Sequence, residues 1–209
     1  MRYFLLFLYF VFFTACSTAR LVESHAPYRA EKPKIEKILI IGMTPLTEFR
    51  QSFETRLQKE FRKHGVEAVT SVSVLESKLA PGDSTEKQLN NLEKYLVEEG
   101  YNTVLLSKIV QVESHKDLRT SLYSLRGSYR SFKSDYYSNQ GIFHGGDIKG
   151  DSKIYHTETS IYTLPENRQR ELLWQGEIDL KNPKRVKRTI KQYVDLLISR
   201  LKWEGVLPH

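Results

Sequence analysis

The run Ile35 to Gly42, IEKILIIG, narrows the possible folds more than any other stretch. Its β-branched and nearly unbroken apolar residues fit a strand covered on both faces, as in a parallel sheet with helices on each side. The next residues agree with that reading. Thr44 can cap a helix with Pro45 at its first position, and Phe49, Phe53, Leu57 and Phe61 recur every four residues on one face. Gly65 supplies a left-handed stop. Arg50 and Glu54, one turn apart, are expected to form an exposed ion pair.

The alternation continues beyond Gly65. Val66 to Val74 (VEAVTSVSV) reads as a second strand, and Pro81-Gly82-Asp83 leads into a second helix capped by Asp83 or Ser84. Leu89, Leu92 and Leu96 line its inner face and Gly100 ends it. Tyr101 to Val112 reads as a third strand. Strand, helix, strand, helix, strand predicts a parallel sheet with right-handed crossovers. Then the types change. Lys153 to Leu164 and Arg170 to Ile178, joined at Pro165-Glu166-Asn167, predict an antiparallel hairpin with Gly176 as a candidate bulge. Asn182, ahead of Pro183, is the expected cap of a last helix with Ile190, Val194, Leu197 and Leu201 in its buried stripe. The expected class is α/β, becoming α+β at the C-terminal end: a βαβαβ parallel sheet extended by a hairpin, plus a C-terminal helix.

The start of the chain has a different character. Arg2 precedes eleven apolar or aromatic residues, Tyr3 to Phe13, and then the small Thr14 and Ala15. That is the form of a secretory signal, and eleven residues fall short of the roughly 20 that a spanning helix needs. Cys16, the only cysteine, can make no internal bridge. Phe13-Thr14-Ala15-Cys16 resembles the lipobox of bacterial lipoprotein precursors, with Phe13 where leucine is usual. The resemblance implies removal of residues 1–15, lipid on Cys16 and a membrane as the first partner, since two or more acyl chains make attachment nearly permanent. Ser17 resembles the context of lipoproteins sorted to the outer membrane, so the expected location is the cell envelope, at that membrane's periplasmic face. Residues 16–34 read as lipidated cysteine and tether, with no apolar period and two prolines, reaching about 60 Å when extended. Residues 35–209 read as one α/β domain.

The order of elements in that domain, carried by ILIIGMTP, RQSFETRLQKEFRKHG and LLWQGEIDL, resembles periplasmic α/β lipoproteins of envelope-assembly systems. Among them are the curli-secretion lipoprotein, the penicillin-binding-protein activator lipoproteins and the amino-terminal domain of the Tol translocation protein. The resemblance implies a protein-binding accessory role and brings no catalytic motif.

Two stretches are candidates for binding. Without Arg2 and the leader the chain has 31 basic and 25 acidic residues, and KNPKRVKRTIK, residues 181–191, contains six of the cations and no acid. Lys181, Lys184, Arg185, Lys187, Arg188 and Lys191 therefore account for the whole positive excess. They stand where a helix dipole is already positive and disfavours cations. Free amides and basic side chains there suit an acidic partner face, a glycan acid or a lipid headgroup; the plain alternative is a solvated helix end. The second stretch, about 113–152, is long for a loop in a compact domain. Tyr129, Phe132, Tyr136 and Tyr137 in it either present a partner-binding surface or fold back onto the sheet edge.

Enzyme chemistry finds little support. His144-Gly145-Gly146-Asp147 is similar to an esterase oxyanion loop, but no G-x-S-x-G elbow accompanies it. A membrane-tethered hydrolase using His144 and Asp147 is the alternative function. His144, Asp147, Asp151 and His156 lack known metal-ligand spacing, and IGMTP lacks the glycines of a nucleotide fingerprint, so no metal or cofactor is expected. Export argues against a nucleic-acid partner.

Overall fold

The computed structural model describes residues 17–27, 33–79, 84–114, 131–144, 153–164, 172–181 and 185–208. In chain order the elements are β1 (Ala19–His25), β2 (Lys37–Met43), α1 (Thr47–Lys63), β3 (Glu67–Thr70), α2 (Ser71–Lys78), α3 (Glu86–Glu98), β4 (Thr103–Ser114), α4 (Phe132–Asn139), a 3-10 turn (Gln140–His144), β5 (Lys153–Thr163), β6 (Leu172–Lys181) and α5 (Val186–Trp203). The strands form one mixed sheet in the order β1-β6-β5-β4-β2-β3. β2 pairs in parallel with both β3 and β4, while β4-β5, β5-β6 and β6-β1 are antiparallel. The α/β class, the parallel βαβαβ unit, the hairpin and the terminal helix are all as read from the sequence.

The middle of the sheet is covered on both sides. On one face Phe53, Leu57 and Phe61 of α1 and Tyr193, Val194, Leu197 and Leu201 of α5 pack on Ile38, Ile40, Leu105, Ile161, Trp174 and Ile178. On the other, Leu89, Leu92 and Leu96 of α3 and Phe132 and Tyr136 of α4 cover Leu39, Ile41, Val104, Leu106 and Tyr162. Each such side chain withdrawn from water contributes about 1.5–3 kcal/mol. Ile38 to Ile41 are completely buried, which is why that run reads as apolar on both faces.

Several local readings are corrected. Residues 19–25, assigned to the tether, form an edge strand whose Ala19 is buried and Leu21 half-buried while Arg20 and Val22 face solvent. Charged Arg20 and Glu23, with a register shift between Leu21 and Glu23, blunt the free edge. α1 begins at Thr47 after Leu46, and Thr44 Oγ1 only accepts from the Leu46 amide at 3.3 Å. The strand-like VEAVTSVSV is divided, with four residues in β3 and the segment from Ser71 turning into α2. The cap of α3 is Thr85, in a reciprocal capping box with Gln88. Gly176 marks no bulge: a Cβ there would lie 2.3 Å from the Trp174 ring, so the glycine makes room for the indole. Gly65 and Gly100 close their helices with positive φ, as read, and Gly205 does the same after α5.

Candidate functional site

Sheets in which consecutive crossovers run to opposite faces leave a crevice at the carboxyl ends of the two strands where the direction changes. Here those strands are β2 and β4, with Gly42, Met43 and Thr44 meeting Ser107, Lys108 and Ile109. The crevice is filled by the protein itself. Phe53 from α1 and Tyr193 from α5 lie in it with ring centroids 5.4 Å apart, and the remaining cavity is about 20 Å³. That is room for about one water. Tyr193 Oη is within 2.9 Å of Ser107 Oγ and 2.6 Å of Thr159 Oγ1, and Thr157 Oγ1 donates to it at 3.3 Å. Thr157 Oγ1 also donates to the Ile178 carbonyl at 2.7 Å, so these hydroxyls find their partners within the protein.

Beside the crevice, Glu54 is fully buried, which overturns the exposed pair expected with Arg50. Its carboxylate accepts from the Gly42 amide (2.9 Å), the Ser71 amide (2.8 Å) and Ser71 Oγ (2.6 Å). Burial pushes this carboxyl above its ordinary value, against the hydrogen bonds from Ser71 and Gly42 and the charge of Arg50. The physical reason for the correction is α2. It has no side-chain cap of its own, and Glu54 supplies the missing acceptor at its first amide.

On the opposite face a second buried group joins α4 to the sheet. Lys108 pairs with Asp135 and, at 2.8 Å, with Glu158, and Tyr162 Oη donates to Asp135 at 2.7 Å. Burial alone would lower the Lys108 ammonium, but the Asp135 and Glu158 carboxylates outweigh it and hold it above its usual value. Burial, then the neighbouring Asp135, drives the Tyr162 hydroxyl upward. α4 lies within the stretch expected to be a loop. Phe132 and Tyr136 are buried on it, edge to face at 5.7 Å, so they are core residues and not a partner surface. Tyr137 is exposed. Tyr129 falls outside the described residues.

The basic stretch is where charge meets solvent. Lys181 ends β6, Arg185 precedes the first turn of α5, and Lys187, Arg188 and Lys191 lie on it, all exposed. Lys191 pairs with Asp195 at 2.5 Å. The helix begins at Val186 with Arg185 in the cap position, three residues later than the cap expected at Asn182; Asn182, Pro183 and Lys184 lie outside the described residues. Thr18 joins this stretch to the start of the chain. Its carbonyl accepts from the Lys181 amide at 2.8 Å, and its amide donates to Gln192 Oε1 at 3.0 Å. Cys16 itself is outside the described residues.

Sequence reasoning missed a second cationic feature. A groove of about 700 Å³ runs between α1 and α5, with Arg56, Lys59, Arg62 and Lys63 on one wall and Lys187 and Ile190 on the other. Arg56 is held by Asp195 at 3.4 Å and Lys63 by Glu60 at 2.8 Å. The basic repeat at positions 56, 59, 62 and 63 is the signal that was available for it.

Of the residues weighed for catalysis or metal binding, His156 is 2.7 Å from Asp179 on neighbouring strands. Asp147 and Asp151 lie outside the described residues, and nothing is described of the His144 side chain. Among the described residues no three His, Cys, Asp or Glu side chains could share a metal, and no helix is long and apolar enough to cross a membrane.

No protein-family model and no curated protein matches the sequence. Among solved structures the chain is similar to the PelC dodecamer from Paraburkholderia phytofirmans, at 7% identity and TM-score 0.38, covering 83% of this chain and 96% of that one. It is also similar to lipoprotein GNA1162 from Neisseria meningitidis, at 10% identity and TM-score 0.38, over 78% and 99%. A nucleoside-triphosphatase / dITP/XTP pyrophosphatase from Mycobacterium abscessus matches at 18% identity and TM-score 0.29, over 68% and 70%. At such identities and TM-scores none of these proteins' properties extends to this chain.

Proposed function

We propose that this chain is a lipid-anchored protein of the bacterial cell envelope that acts by binding another envelope component, as an assembly or accessory factor, and not by catalysis. The observation that carries the reading is the filled crevice. At the carboxyl ends of β2 and β4, where an α/β sheet would hold a substrate, Phe53 and Tyr193 leave about 20 Å³, far below the roughly 300 Å³ of a small ligand site. The anchoring part rests on the sequence: Arg2, the short apolar run and Phe13-Thr14-Ala15-Cys16 in lipobox order.

Complementation separates this from a tethered hydrolase. In cells lacking the protein, His144→Ala and Asp147→Ala chains are expected to restore function as the wild type does, whereas Cys16→Ser should not. Cross-linking in cells should recover an envelope component on the wild-type chain. Loss of complementation through either alanine change alone, with the protein still folded and anchored, would favour the hydrolase.

A further inference from the structure

Of the two features that the sequence presents as separate, the lone cysteine and the basic stretch, the second lies beside Thr18, two residues along the chain from the first. Thr18 is hydrogen-bonded through its main chain to Lys181 and to the side chain of Gln192, so β1 is seated beside the first turns of α5 almost as soon as the chain leaves Cys16. Thr18 is two residues from Cys16, at most about 7 Å of main chain. An 18-residue tether would let the body turn freely above a bilayer. A two-residue link would not.

The charge exposed near that link, at the start of α5, is of one sign. Arg185, Lys187 and Arg188 are exposed, as is Val186 among them, and Lys181 adds a fourth cation from the end of β6; the residues from Arg185 to Gln192 include no acid. Among the described residues Arg185, Lys187 and Arg188 have no acidic partner, and they stand where the helix dipole gives them none. A stretch of this kind gains most from a surface dense in negative charge. An acyl chain plus a polybasic patch is the usual pairing of signals at such a surface.

We infer that the end of the domain formed by Lys181, Arg185, Lys187 and Arg188 docks on the anionic phospholipid headgroups of the membrane that holds Cys16, fixing the orientation of the whole body. This rests on the lipid-anchor reading above and adds a second contact to it. α5 then stands away from the bilayer. Its 18 residues span about 27 Å, placing Trp203, 72% exposed, at the far pole.

The test uses the full lipidated chain with one added thiol, Val186→Cys or Trp203→Cys, since the only native cysteine would be acylated. Each is reconstituted into vesicles of phosphatidylcholine alone or with phosphatidylglycerol, floated on a density gradient, and labelled with a bulky maleimide. On anionic vesicles Val186→Cys is expected to react on the order of tenfold more slowly than Trp203→Cys. The difference should shrink on neutral vesicles and in 1 M salt, where screening length falls to about 3 Å. Adding Lys187→Glu and Arg188→Glu, both at exposed positions, should restore rapid labelling. Equal rates for the two thiols on chains that float with anionic vesicles would overturn the docking while leaving the anchor intact, and would give the patch to an acidic protein or glycan. Chains that do not float would overturn the anchor and the docking together.

Discussion

A carboxylate buried as completely as that of Glu54 persists only because three donors converge on it, two of them from Ser71 at the start of α2. Glutamine has the same shape but must turn an amide group toward one of those donors. Glu54→Gln is therefore expected to cost about 1–3 kcal/mol in chemical unfolding, since the Ser71 amide loses its acceptor. Tyr162 gives a pH prediction. Its folded hydroxyl titrates above its ordinary value, so its contribution is intact below about pH 10, where the unfolded tyrosine begins to ionise, and is lost as pH rises through the folded value. Lys108, also raised, acts in the same direction over the same alkaline range. Tyr162→Phe should be less stable at neutral pH, by about 1 kcal/mol, yet lose stability less steeply between about pH 10 and 11.5. Gly176→Ala should lower the melting temperature by several degrees, because its methyl group would lie 2.3 Å from the buried indole of Trp174, an overpacking worth about 1–3 kcal/mol.

At the level of elements, α4 is held by charge as much as by its aromatic pair. Asp135→Ala would take from Lys108 one of the carboxylates paired with it, costing about 3 kcal/mol, and amide exchange should quicken in α4 well before it does in β4. Uniform exchange across both would mean that α4 is not pinned there. Elements with a repeating signal were legible in the sequence: the Phe repeat of α1, the Leu repeat of α3, the apolar run of β2. Those whose cause is distant or one-sided were not. β1 buries only one face, so Ala19 and Leu21 are its whole buried apolar signal. The start of α2 depends on a side chain 17 residues earlier, and without it the alternating Val72 and Val74 favour a strand. Two signals were present and passed over: the Thr85–Gln88 capping box, and Phe132 with Tyr136 four residues apart on one helix face. The basic stretch was visible as composition, but its position beside Thr18 depends on the pairing of β1 with β6.

For the whole molecule, β1 changes what a lipid on Cys16 would do. Ser24 donates to Glu204 at 2.5 Å, Arg200 donates to Ser24 at 2.8 Å, and the Trp174 indole donates to Glu204 at 2.8 Å, so the strand is fastened to α5 at its far end as well as at Thr18. A pull on Cys16 would therefore be carried directly into the sheet and the terminal helix. All of this depends on the chemistry of one sulfur, and the mass of the amino-terminal peptide from membrane-extracted protein reads it most directly. A peptide beginning at Cys16 and heavier by a diacylglyceryl group, with or without a further acyl chain, is the expected result. An unmodified Cys16, in a chain still beginning at Met1 or cut elsewhere, would contradict it.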